Sequence, residues 1–124
     1  MKDLEIEATK NTPMVNFYSS GQLTISGLAN AENSREFFIP LINWIDNLDA
    51  PDVDFDLIIE YINTSSAKKL LELLQKLQSN ELIQNIRLNW FYQVWDEDML
   101  DMGKILAESL PRIKFEYVEY KSKL

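Results

Sequence analysis

Asn63-Thr64-Ser65-Ser66 places three consecutive hydroxyls where an apolar strand, FDLIIEYI, hands over to a leucine-rich helix. The first turn of a helix carries unpaired N–H groups and the positive end of the helix dipole. It therefore holds anions, including a phosphoryl group placed on one of its own hydroxyls. A hydroxyl there can equally act as a cap, accepting a hydrogen bond from an N–H two or three positions on, and on residue chemistry alone that is the more ordinary role. Thr64, Ser65 and Ser66 compete for either task. Phosphorylation adds about −1.5 to −2 charges. The helix end and Lys68, one turn on, would welcome that charge, while Glu60, Glu32 and an acidic chain would oppose it. A partner packed closely on neutral Thr64 would reject the phosphate by repulsion and desolvation.

Asp96-Glu97-Asp98, with Asp101, forms a second cluster. Grouped carboxylates suit Mg²⁺ or Ca²⁺, but the glycine-bearing spacing of a calcium loop is missing, and acids in a helix's first turn complement its dipole. No metal and no other cofactor is expected. Beside the acids stand Trp90, Phe91, Tyr92 and Trp95. Alternation buries Trp90 and Tyr92 on one face, sends Phe91 to the other and leaves Trp95 exposed past the strand's end. Exposed aromatics beside acids suit a protein contact, so Tyr92, Trp95, Asp96, Glu97 and Asp98, with Glu32 and Asn33, make a candidate partner surface.

What is missing narrows the chemistry further. The 124 residues include no histidine and no cysteine, which removes the usual zinc sites, Ser–His and Cys–His nucleophile pairs, and disulfides. Twelve basic against twenty acidic residues give a net charge of −8, which repels nucleic acid and anionic lipid surfaces. No apolar run approaches the ~18 residues of a membrane span. These features predict a cytoplasmic protein without catalysis of its own, with neither nucleic acid nor membrane as partner. A carboxylate-dependent hydrolase using Glu60 and the Asp96 to Asp101 group, and a small-ligand-binding domain, are the alternatives.

The elements that must position these residues follow from periodicity. Leu4, Ile6 and Ala8 alternate with acids, and Met14 to Tyr18 and Gln22 to Ser26 read as a hairpin joined by Ser19-Ser20-Gly21. After a polar loop from Gly27, Asn33 or Ser34 caps a helix with Phe38, Leu41, Ile42, Ile45 and Leu48 on one face; Pro40 either kinks it or marks its start near Ile39. Val53, Phe55, Leu57, Ile59 and Tyr61 share one face of the next strand. Ile58 and Ile62 make its second half apolar on both faces, which predicts cover on both sides. Ala67, Leu70, Leu71, Leu74 and Leu77 stripe the following helix. A strand from Ile86 to Tyr92, a helix with Met99, Met102, Leu106 and Leu110 inward, and a strand from Arg112 to Tyr120 complete the chain. The order β-β-β-α-β-α-β-α-β predicts one α/β domain, residues 1–124, with a mixed sheet and crossover helices mainly on one face.

Four segments carry a family resemblance: LEIEATKNTP near the N-terminus, Ala31-Glu32-Asn33-Ser34, EYINTSSAK from Glu60 to Lys68, and LNWFYQVWDEDMLDMG from Leu88 to Gly103. Together they resemble the SiaC family of bacterial regulatory phosphoproteins almost end to end. The resemblance implies a STAS-like fold of the anti-sigma-factor-antagonist type. It further implies a cycle in which a Ser/Thr protein kinase phosphorylates one threonine and a PP2C-like phosphatase removes the phosphate. The unphosphorylated form would bind and activate a GGDEF-type diguanylate cyclase, a link to c-di-GMP signalling and biofilm control. Thr64 matches the family's acceptor, with Asn63, Ser65, Ser66 and Lys68 flanking the switch. Leu28, Ala31 and Gln93-Val94 depart from the family pattern, and they bear on the partner surface more than on the switch.

Overall fold

In a computed structural model describing residues 1–121, nine elements follow in the order β1 (Leu4–Ile6), β2 (Met14–Phe17), β3 (Gln22–Ala29), α1 (Ser34–Asp46), β4 (Asp52–Ile62), α2 (Thr64–Ser79), β5 (Asn85–Gln93), α3 (Glu97–Glu108) and β6 (Ile113–Tyr120). This is the order that periodicity predicts. Residues 122–124 of the expected 1–124 unit lie outside the described residues.

The six strands form one sheet whose spatial order is the chain order. β1, β2 and β3 pair antiparallel, and β3 to β6 pair parallel. The turn into β3 needs glycine: Gly21 has φ 101°, and a Cβ there would lie 2.1 Å from the Asp52 carbonyl oxygen. Every parallel step requires a crossover. Crossovers between parallel strands are right-handed almost without exception, and these always advance in the same direction, so α1, α2 and α3 cover one face. Val53, Phe55, Leu57 and Ile59 of β4 point into that layer and are buried against Leu41 and Ile45 of α1 and Leu70, Leu74 and Leu77 of α2. Burying a side chain of this kind contributes about 1.5–3 kcal/mol.

The far end of β4 departs from expectation. Gly27 pairs with Ile59 but Leu28 pairs with Tyr61, so Glu60 is an extra residue on β4. The alternation slips by one at this bulge. Tyr61 turns away from the core and is 53% exposed, whereas Ile62 rejoins the helix side and packs against the core. The apolar Ile58, Phe91 and Val118 on the open face, in line with Asp54, Asp56, Asn89 and Glu116, stay only half-buried. The predicted cover on both sides is therefore incorrect. Pro40 lies inside a continuous α1 that starts at Ser34 with Asn33 as its cap, and β3 extends through Leu28 to Ala29, into the segment expected to be loop.

Candidate functional site at the carboxyl edge of the parallel strands

Parallel strands present their carboxyl ends along one edge, and the helices that follow begin there. Asn33, Asn63 and Asp96 are the three N-caps on this edge. Asn33 Oδ1 accepts from the Glu36 N–H at 3.1 Å, Asn63 Oδ1 from the Ser66 N–H at 2.9 Å, and Asp96 Oδ1 from the Met99 N–H at 3.1 Å. Asn63 also ties two junctions together. Its Nδ2 donates to Asn30 Oδ1 and to the Ala31 carbonyl, both at 3.2 Å, while its N–H donates to the Ala29 carbonyl at 3.0 Å.

This corrects the capping role expected of the hydroxyls: none of the three caps α2. Thr64 is the first helical residue, and its side chain is exposed. Ser65 is also exposed, and its Oγ donates to Asn63 Oδ1 at 3.4 Å. Ser66 faces the core, fully buried, and its Oγ has no hydrogen-bond partner among the described residues. The competition among the three thus narrows, because a fully buried hydroxyl is out of an enzyme's reach in the folded chain.

Thr64 and Lys68, one turn apart on the same helix face, line a groove between α2 and α3 of about 380 Å³. Its floor is Leu71, Met102 and Leu106, with Ile105, Asp98 and Asp101 along the α3 side. Ile105 stays 65% exposed, so the groove is open-walled. Sequence reading assigned Leu71 and Met102 to buried stripes and passed over Ile105. The signal available was an isoleucine standing off the apolar stripe of α3 among charged neighbours.

The remaining candidate residues spread along the edge. Trp95 is 72% exposed, as expected of a residue past the end of β5, and Glu32, Glu97 and Asp98 are exposed too. Asp96 is committed to its cap, and Tyr92 is half-buried against the core. Trp90 is buried, its Nε1–H donating to the Met99 carbonyl at 2.8 Å. Leu28, Tyr61 and Val94 add exposed apolar surface that sequence reading missed; the Glu60 bulge hides the first two from periodicity. Glu60 and Asp96 sit near the Tyr120 phenol, which is raised above its ordinary 10.0 first by burial and then by those two charges, against a hydrogen bond with Gln93 that lowers it. The groove holds Asp98 and Asp101 but neither Glu60 nor Asp96. The carboxylates expected of a hydrolase are therefore not gathered there. No group of three or more acidic residues among the described residues is placed to hold a metal ion.

A family model described as SiaC family regulatory phosphoprotein matches residues 6–120. An uncharacterized protein of Pseudomonas aeruginosa (strain UCBPP-PA14) is 29% identical over 113 residues, covering 87% of this chain and 90% of its own length. The crystal structure of apo-SiaC from Pseudomonas aeruginosa superposes with a TM-score of 0.81 at 26% identity, over 95% of this chain and 99% of that one. The matching chain in the crystal structure of the diguanylate cyclase SiaD in complex with its activator SiaC, from the same organism, gives a TM-score of 0.81 at 26% identity, over 95% of this chain and 100% of that one.

Proposed function

We propose, since this chain belongs to the SiaC family of regulatory phosphoproteins, that it is a switch without catalysis of its own. Its unphosphorylated form binds and activates a GGDEF-type diguanylate cyclase in the cytoplasm; the similar SiaC of Pseudomonas aeruginosa is the activator found in complex with the diguanylate cyclase SiaD. Phosphate on Thr64, added by a Ser/Thr protein kinase and removed by a PP2C-like phosphatase, stops the interaction.

The observation that carries this reading is the position of Thr64. It is exposed, it has no capping duty, and it stands at the rim of an apolar groove. Asn63 already holds the helix start, so a phosphoryl group can replace the hydroxyl hydrogen without unmaking a structural hydrogen bond. The N–H groups of α2's first turn, the dipole and Lys68 would favour the added charge locally. Asn63, Ser65, Ser66 and Lys68 shape the acceptor's surroundings. Glu32, Asn33, Tyr92, Trp95, Asp96, Glu97 and Asp98 form the edge along which a partner would contact the chain.

The test is to phosphorylate the chain with the cognate kinase, map the site by peptide mass spectrometry, and assay purified GGDEF cyclases from the source cell for cyclic dinucleotide formation with each form. Phosphate on Thr64, and activation by the unmodified form only, are expected. Absence of phosphate from Thr64, or equal activation by both forms, overturns the reading. An open groove with Ile105 65% exposed does not enclose a small molecule as ligand pockets do, so this groove lends the ligand-binding alternative no support.

A further inference from the structure

At the amino ends of β4, β5 and β6, the opposite edge of the sheet from Thr64, lies a half-open cleft of about 650 Å³. A row of side chains on the open face lines it: Gln22, Asp54, Arg87 and Lys114 stand in register on β3, β4, β5 and β6. Neighbouring strands are about 4.8 Å apart, so Arg87 has a carboxylate on one side and an ammonium group on the other. Simple electrostatics would pair it with Asp54. Instead, Asp54 Oδ1 accepts from Asn89 Nδ2 at 2.9 Å, and the same amide donates to Asp56 Oδ1 at 2.7 Å. Asn89 thus holds the Asp54 carboxylate toward the next row. The Arg87 guanidinium makes no salt bridge or hydrogen bond among the described residues.

Two further cations complete this side of the cleft. Lys114 pairs with Glu116 at 3.5 Å, both well exposed, and such a pair is weak in water. Arg112 has its guanidinium fixed by the carbonyls of Gln78, Asn80 and Ile83. Carbonyls orient that group without cancelling its charge. In a chain of net charge −8, this gathering of cations runs against the average surface. Carboxylates occupy the other side: Asp54, and Asp52, whose Oδ1 accepts from Asn85 Nδ2 at 2.8 Å. The Oδ2 of each accepts no hydrogen bond among the described residues. The cleft therefore has one end that attracts an anion and another that accepts hydrogen bonds.

We infer that this cleft binds a small phosphate monoester. Arg87 holds the phosphate, since its planar fork matches two phosphate oxygens, and Lys114 and Arg112 add positive charge. N–H or O–H donors on the rest of the molecule bond the free carboxylate oxygens of Asp52 and Asp54. The volume lies within the roughly 300–1,000 Å³ of ligand pockets, room for a mononucleotide or a sugar phosphate, whereas inorganic phosphate would leave the carboxylate end unfilled. A ligand with a second anionic group at that end would be repelled. Because Thr64 stands on the opposite edge, this site is independent of the threonine switch.

Titration of the full chain with GMP, AMP, glucose 6-phosphate, inorganic phosphate and guanosine tests this, read by amide shifts in proton–nitrogen NMR spectra and by calorimetry. Saturable shifts at Gly21, Arg87 and Lys114 are expected with at least one monoester, at an affinity about tenfold or more above that of inorganic phosphate. Which monoester binds tightest separates a nucleotide site from a sugar phosphate site. Guanosine, which lacks the phosphate, should not bind. Arg87→Gln and Lys114→Gln, both at exposed positions, should each weaken binding by about tenfold or more with an unchanged urea midpoint. Arg87→Lys should keep part of the affinity because the charge stays. Asp52→Asn should narrow the gap between monoester and inorganic phosphate, and Thr64→Asp should bind the monoester as the wild type does. Absence of saturable shifts at these amides with every monoester, or wild-type affinity in Arg87→Gln, refutes the inference. Equal affinity for inorganic phosphate and every monoester refutes the part given to Asp52 and Asp54. Either failure leaves the threonine switch and the cyclase reading standing, since neither uses these residues.

Discussion

Asn63 does for α2 what the three following hydroxyls were candidates to do, and that division of labour frees Thr64. Asn63→Ala should cost about 1 kcal/mol for the cap alone, and more because the links to Asn30 and Ala31 go with it. Thr64→Ala should change stability by less than about 0.5 kcal/mol, as expected of an exposed residue with no cap to lose; urea denaturation of the two variants compares them directly. In partner binding the order reverses: Thr64→Asp or Thr64→Glu should weaken it and Thr64→Ala should keep it. A folded Ala variant that no longer binds would rule out repulsion as the mechanism. Ser66→Ala removes a buried hydroxyl that has no partner, so it should be neutral or stabilising by up to about 1–2 kcal/mol, read from the same denaturation curves. The sequence made the anion-friendly helix start legible but not the identity of its cap. Asn, Thr and Ser all cap well, and what selects Asn63 is its second set of bonds to residues more than thirty positions away.

At the level of elements, nearly everything with a clear period was readable. All nine elements appear in the expected order, because each strand and helix exposes one face and buries the other. The end of β4 was not readable. A bulge is created by pairing with another strand, so the slip at Glu60 that exposes Tyr61 and turns Ile62 inward leaves no mark in the strand's own pattern. The α2–α3 groove was hidden for a related reason: stripes say which residues face inward, not how far apart two helices stand. α3 itself is positioned by a close approach. A Cβ at Gly103 would fall 2.7 Å from the Trp90 ring, and Trp90 is held by its hydrogen bond to the Met99 carbonyl. Gly103→Ala should therefore lift α3 from β5 and cost about 1–3 kcal/mol. It should also weaken partner binding, because Met102 and Ile105, which line the groove beside Thr64, move with the helix. Thermal denaturation and the cyclase assay together check this, and an unchanged melting temperature would show that the contact can relax.

For the molecule as a whole, charge is the dominant variable: net −8 over 124 residues, arranged on a sheet with one face covered by helices and the other open. Tyr117 and Tyr120 sit on β6, the edge strand, and both phenols are raised above 10.0, Tyr117 by burial and Tyr120 by burial, Glu60 and Asp96. In the unfolded chain these phenols lose their protons near the ordinary value, so above it the unfolded state holds fewer protons than the folded one. Stability then falls as pH rises. The contribution is complete below pH 10 and is lost as pH climbs through the raised folded values. Urea midpoints measured from pH 8 to about pH 11 should stay level and then decline. Tyr120→Phe should decline less steeply, since it keeps the ring packed on Phe91 while removing the proton. Removing Glu60 by Glu60→Gln should bring the Tyr120 phenol back toward its ordinary value in a phenolate absorbance titration, because one of the two charges that oppose its ionisation is gone. An unshifted titration would mean that burial and Asp96 hold the proton without Glu60, and that Glu60, on the bulge beside Tyr61, does not act across the sheet's carboxyl edge.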